Sequence, residues 1–424
     1  MDRNKKIVIF ILVTLAAIVT ALLIYYFFYS SNTGAPTSPT TNPPFGTFPT
    51  TNPNTPEGSS NPPLNNNNGS GDNGSGTTNQ PSGGGALPGA FKPVLRQITT
   101  VPTAGGIIFN NNGTPTIRYI ERAKGNVYET DAVSIKANRL SNTTVPQIYE
   151  AFWNGTGQSV IARFLKDGDN IQTFDATVAP GTGGQGELRG SFLATNIKNL
   201  VVSPSGKQIF YLIDAPSGLV GIAASFDGIK KVQIFDSPLH EWLANWPSEN
   251  IVSITSKAGS ESNGLMMFVD VGTGKQQVIL SDMVGLTTLA SSDLTKVLYS
   301  VSSQKSFATK LFNVANASSL PFTMATLPEK CVWSKIQKSV IYCAVPESLP
   351  SGNYPDDWYQ GTLSFRDELW KIDTVTGTPT FIINLGDQSR IDFDAINLSL
   401  NDKENFLLLT NKNDLNLWEV QLAP

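Results

Sequence analysis

Residues 199–214 read NLVVSPSGKQIFYLID, two short apolar runs joined by Ser-Pro-Ser-Gly-Lys. Proline presets φ for a turn, glycine permits the reversal, and apolar side chains resume on either side, so the stretch predicts a β-hairpin. The pattern returns as IIFNNNGTPTIRYI, AFWNGTGQSVIARF, ANWPSENIVSITS, LASSDLTKVLYSV, VWSKIQKSVIYCA and NLSLNDKENFLLLT. With Asn110, Asn154, Ser203, Trp246, Ser291, Ser334 and Ser399 as equivalent turn entries, the intervals are 44, 49, 43, 45, 43 and 65 residues. A recurrence of that length belongs to a repeat architecture.

From residue 91 onward the apolar pattern alternates with period two and no long helical period intervenes, so the region reads as all-β. After each hairpin come a third strand, a turn and a fourth strand, as in LMMFVDV-GTGK-QQVIL. One four-stranded antiparallel sheet cannot bury both of its faces, but seven arranged radially cover one another, which predicts a seven-bladed β-propeller over residues 91–424. The last unit supplies only three strands. VLRQITT, Val94–Thr100, has the character of the fourth strands elsewhere and is expected to complete that sheet and close the ring.

The hairpin signature, as in VVSPSGKQIFYLI, resembles the repeat of TolB-like propellers, themselves similar to WD-repeat propellers. The resemblance covers residues 92–424 and implies a membrane-anchored protein of bacterial type whose surface binds a protein or ligand, with no catalytic residues to carry over. SKIQKS and SSDLTK lack the usual Pro and Gly, which leaves those blade boundaries open by a few residues.

Upstream lies a different kind of chain. Residues 7–29, IVIFILVTLAAIVTALLIYYFFY, carry no charge over 23 positions, enough for a helix to span a hydrocarbon core about 30 Å thick. Arg3, Lys5 and Lys6 precede this stretch and no Lys or Arg follows until Lys92, so residues 1–6 are expected in the cytoplasm and the rest outside. A removed signal peptide is the alternative, disfavoured by the aromatic run Tyr25–Tyr29 where small residues would be needed. Residues 30–90, almost wholly Thr, Asn, Pro, Gly and Ser, read as a disordered linker. The G-x-G-x-x-G matches at Gly69–Gly74 and Gly181–Gly186 open no helix and read as loops.

The candidate site is the insertion that lengthens the final interval, ESLPSGNYPDDWYQGTLSFR, residues 347–366, between the second and third strands of the sixth unit. Tyr354, Trp358, Tyr359 and Phe365 beside Asp356 and Asp357 have the composition of a contact patch for a protein or glycan on the face around the channel mouth. A loop folded onto its own aromatics is the alternative. Cys331 and Cys343 flank the sixth hairpin, and antiparallel pairing would bring them opposite each other; outside the cytoplasm they are a disulfide candidate, with two buried thiols as the alternative.

With two cysteines and one histidine, His240, neither a metal centre nor Ser-His-Asp chemistry is expected, and no cofactor motif is present. Paired acids such as Asp167 and Asp169 read as turn residues. The formal net charge of -4, without a Lys/Arg run, excludes nucleic acid as a partner. The expected function is recognition or assembly, and the alternative is an exported carbohydrate hydrolase or lyase using carboxylates near the channel.

Overall fold

The computed structural model describes residues 91–134, 136–179 and 186–423. Seven four-stranded sheets are formed, each antiparallel throughout. In blade 3 the strands run Asn199–Val202, Gln208–Ala215, Gly218–Ser225 and Val232–Ser237 in spatial as in chain order. The innermost strands of the other blades are Thr103–Asn111, Ile148–Trp153, Trp242–Ser248, Thr287–Ala290, Cys331–Trp333 and Ala395–Leu400. Residues 7–29 and 30–90 and Gly181–Gln185 lie outside the described residues. Among the described residues no helix is long and apolar enough to cross a membrane.

Burial follows from the radial arrangement. Second strands are covered on both faces by neighbouring blades, so Val340–Pro346 and Phe406–Asn411 are buried at every position, whereas the outermost strand Ser318–Pro321 is exposed at every position. This explains why the second strands read as unbroken apolar runs and the fourth as mixed ones. The core is a chain of inter-blade clusters, such as Phe210, Leu212 and Phe235 of blade 3 against Trp242, Val252 and Ile254 of blade 4.

The turn entries are built by side chains. Ser203 Oγ accepts from Gln208 N at 3.1 Å, Ser291 Oγ from Lys296 N at 3.0 Å, and Asn154 Oδ1 from Ser159 N at 3.1 Å. Neighbouring turns are then clamped together: Ser205 Oγ donates to Glu249 of blade 4 at 3.0 Å, and Ser334 Oγ to Glu404 of blade 7 at 2.8 Å. Gly206 has φ +71, and a Cβ there would meet Gly155 N of the neighbouring turn at 1.9 Å, so glycine is required twice over.

Two turn entries differ from the expected ones. In blade 7 the role belongs to Asn401, which accepts from Phe406 N at 3.1 Å, because a bulge between Ile396 and Ser399, with Asn397 at φ +55, displaces the turn by two residues. In blade 4 a bulge between Asn245 and Ser248 leaves Trp246 inside the strand and buried.

Closure is made by Val94–Gln97, which pairs with Leu417–Gln421 as fourth strand of blade 7. Arg96 lies opposite Glu419, binds its carboxylate at 3.2 Å, and donates to the carbonyls of Asp131 and Ser134 in blade 1. One guanidinium therefore ties the last sheet to the first. Cys331 and Cys343 are direct cross-strand partners in blade 6 and form a disulfide, their Cα atoms 4.1 Å apart.

Burial pushes the Glu419 carboxyl from its usual 4.5 up to about 7 against the opposing pull of Arg96, and Asp175 up to about 6, again by burial first and then by Asp227. A carboxyl raised in the folded state contributes stability below its ordinary pKa and loses it as pH rises through the folded value. The melting temperature should therefore fall between about pH 5 and about pH 8, and Glu419→Gln should flatten part of that fall. Arg96→Ala, which leaves Glu419 buried without its partner, should cost about 3 kcal/mol at the upper pH and clearly less at the lower, where the carboxyl is protonated; denaturant unfolding at both pH values checks this.

Candidate functional site

Each sheet places its loops on two faces. Links between blades and the loops joining second to third strands share one face, here the link face; turns joining first to second and third to fourth strands share the other, the turn face. The insertion, running from Pro346 to Asp367, rises on the link face of blade 6. It makes one helical turn, Asp356–Tyr359.

The insertion is bolted to four blades. In blade 4, Ser260 donates to Asp356 Oδ2 through its backbone N at 2.9 Å and its hydroxyl at 2.7 Å. In blade 5, Lys305 Nζ donates to Asn353 Oδ1 at 2.7 Å, and Ser302 Oγ to the Tyr354 carbonyl. Tyr359 hydroxyl donates to Glu329 in the link entering blade 6. Blade 7 makes the deepest contact, where Asp394 Oδ2 accepts from Trp358 Nε1 at 2.9 Å, from Phe365 N at 3.1 Å and from Ser364 Oγ at 3.2 Å.

Beneath the helical turn lies a fully buried ion cluster. Lys330 Nζ sits 2.7 Å from Asp367 Oδ2 and also pairs with Asp394 Oδ1, and all three side chains are sealed from solvent. The ammonium lies under two rings, 5.1 Å from the Phe365 centroid and 5.5 Å from that of Trp358. Ala395 N donates to Asp367 Oδ2 at 2.7 Å. Burial nonetheless holds the Asp367 carboxyl up at about 6. Two acids with a buried basic partner form the arrangement a carboxylate enzyme would need, but here the oxygens of Asp394 and one oxygen of Asp367 are engaged and the ring stack of Tyr354, Phe365 and Trp358 covers them. Their role in this structure is to hold the insertion.

The expected aromatic contact patch is therefore corrected. Tyr354, Trp358 and Phe365 are buried with Phe307 and Leu327, and Tyr359 is half-buried, so the insertion packs onto its own aromatics as the alternative reading had it. Asp356 and Asp357 are half-buried and engaged, Asp356 by Ser260 and Asp357 by Asn353 N at 2.7 Å. No short pattern in the sequence distinguishes such a cap from an exposed patch, because the partners, Lys330 and Asp394, lie in flanking links.

What the insertion does offer is a cleft. Its C-terminal limb and blade 7 enclose a cavity of about 580 Å³ lined by Ser348, Pro350, Ser364 to Arg366, Ile391, Asp392, Asn411, Asn413 and Asp414. Phe365 and Asn411 form a buried floor, while Asp392 and Ile391 are exposed at the rim. Arg366 stands between Glu347 at 3.1 Å, Asp387 at 2.6 Å and Asp392 at 3.6 Å. A second cavity, about 560 Å³, opens on the turn face among Phe109, Trp153, Pro204, Lys335 and Asp402.

The remaining sequence candidates stand apart from both cavities. His240 Nδ1 is 3.0 Å from Asp214 Oδ1 on an exposed surface. Asp167 occupies a turn with φ +52. Among the described residues no group of three or more His, Cys, Asp or Glu could hold a metal ion.

No protein-family model matches the chain, and no curated protein matches it in sequence. Among solved structures it is similar to the tricorn protease, at 12% identity and TM-score 0.47, covering 78% of this chain and 34% of that one. It is also similar to TolB from Acinetobacter baumannii, at 12% identity and TM-score 0.40, covering 63% of this chain and 64% of that one.

Lys330→Met strands two buried carboxylates and should cost about 3–5 kcal/mol. Tyr359→Phe, which removes the hydroxyl bonded to the buried Glu329 carboxyl, should cost about 1–3 kcal/mol. In limited proteolysis both variants should be cut within residues 347–366 before the ring is cut; cleavage starting elsewhere would show that the insertion is held by other means.

Proposed function

We propose that the chain is a single-pass membrane protein, anchored by residues 7–29 with its N-terminus in the cytoplasm, which presents the propeller outside on the linker of residues 30–90 as a protein-recognition or assembly module. The observation that carries this reading is the link-face cleft beside the bolted insertion. Its walls are fixed before any partner arrives, since Asp394 holds Trp358, Ser364 and the Phe365 backbone, and a fixed surface loses little conformational entropy on binding. The rim mixes the exposed Ile391 with Asp392, Arg366, Asn413 and Asp414, the apolar and charged mixture suited to a protein partner. Tyr354 and Trp358 back that surface by stacking on Phe365, while Asp356, Asp357 and Tyr359 fasten the same insertion through Ser260, Asn353 and Glu329.

A photoreactive residue in place of Ile391 in the full-length chain, expressed in its own membrane, should yield a discrete adduct. The same residue in place of Leu320, exposed on the outermost strand of blade 5, should yield none. Asp392→Lys in the first background should reduce the adduct about tenfold or more by placing a like charge opposite a complementary surface. Equal labelling at both positions, or indifference to Asp392→Lys, would remove the cleft as the contact.

A further inference from the structure

The turn face carries an arrangement that the fold does not require. Four loop residues on it are large, apolar and in water: Val133 at 76% exposure, Val375 at 74%, Ile336 at 60% and Ile229 at 57%. Turn tips ordinarily take Gly, Asn, Asp, Ser or Pro, whereas β-branched apolar residues favour strands. In three of these turns the geometry is made by other side chains. Asp373 Oδ1 accepts from Val375 N at 2.8 Å, Asp227 Oδ1 from Ile229 N at 3.2 Å, and Ser334 Oγ from Ile336 N at 3.2 Å. Gly377 and Gly228 supply the positive φ, at +69 and +74. The turns of Val375, Ile229 and Ile336 thus have their hydrogen bonds made by other side chains, and these apolar side chains are largely exposed.

Lysines accompany the tips. Lys136 follows Val133, Lys230 and Lys231 follow Ile229, and Lys335 and Lys338 flank Ile336, all of them exposed. Lys335 pairs with Asp402 at 2.9 Å. Of the other acids in these turns, Asp227 and Asp373 accept from backbone N–H groups of their own turns and Glu404 from the Ser334 hydroxyl and Ile336 N, while Asp131 and Asp227 are exposed. The polypeptide also joins the ring on this face: the closing strand begins at Val94, and Phe91 and Val94 are exposed beside Lys92.

From this placement we infer that the turn face docks on an anionic lipid bilayer, with the valine and isoleucine tips entering the headgroup region and the lysines lying over lipid phosphates. A soluble polyanion would engage the lysines and leave the apolar tips in water; a bilayer engages both. Each lysine near an anionic surface strengthens association about fivefold, and the inserted apolar side chains add to it. The proposal concerns the face opposite the link-face cleft, so either can fail without the other.

All seven sheets and the closing pairing lie within Val94–Gln421, so residues 91–424 are a folded unit for the test. Sedimentation with vesicles of mixed phosphatidylglycerol and phosphatidylcholine should carry the protein down, and pure phosphatidylcholine vesicles should do so weakly. Lys230→Glu with Lys231→Glu, and separately Ile229→Asp with Val375→Asp, should each weaken partitioning about tenfold or more while leaving the melting temperature unchanged, since these side chains are exposed. Absence of association with the anionic vesicles overturns the inference. So does association that is lost with the lysines and kept without the apolar tips, because any polyanion would then serve.

Discussion

A β-sheet covered on only one face leaves a wall of apolar side chains in water, and a blade of four short strands has such a wall on both sides. The ring answers this by making each sheet the cover of the next, at the cost that no blade is complete until the last meets the first. Closure therefore carries the whole structure. It rests on a strand of four residues, Val94–Gln97, drawn from the other end of the chain, and on Arg96, which reaches both the buried Glu419 of the last blade and two carbonyls of the first. The carboxylate is expensive to bury, and that burial raises the Glu419 pKa despite Arg96 beside it. It is placed where a misregistered closing strand would leave it unpaired, since a slip of one residue turns Arg96 to the other face of the sheet.

The same logic explains what could be read from the sequence. Blade number followed from hairpin spacing because each turn is local chemistry, a Ser or Asn accepting the backbone N–H five residues on, as at Ser203, Ser291 and Asn154. The disulfide partners were legible as a pair because hairpin register brings Cys331 opposite Cys343. The closing strand was legible by subtraction, three strands at the C-terminus and an orphan strand pattern near residue 94. Where a bulge intervened, as between Ile396 and Ser399, the spacing misled by two residues, since a bulge costs no recognisable residue type.

The insertion was misread for a different reason. Composition reports that a segment is rich in aromatics and acids, but both an exposed contact surface and a sealed cap need those residues. What separates them is Lys330 on one side and Asp394 on the other, each in a link that reads as an ordinary connection. The apolar turn tips were missed in a similar way: Val375 in DTVTGT and Ile336 in SKIQKS look like strand ends overrunning into a turn, and only the accepted hydrogen bonds of Asp373 and Ser334 show that the turns are complete without them.

The molecule is thus differentiated along its axis although its blades are built alike. On the link face, the long insertion of residues 347–366 is fastened to neighbouring blades by hydrogen bonds and buried charge. On the turn face the described connections are short, from two residues in blade 1 to six in blades 3 and 6, and the apolar tips stand on them. Valine and isoleucine at such tips gain nothing from folding and add a risk of aggregation, a liability that a soluble ring shields elsewhere by inter-blade packing. Four such positions on one face, each with lysine nearby except Val375, are therefore best accounted for by a surface that the folded ring meets rather than by the ring itself.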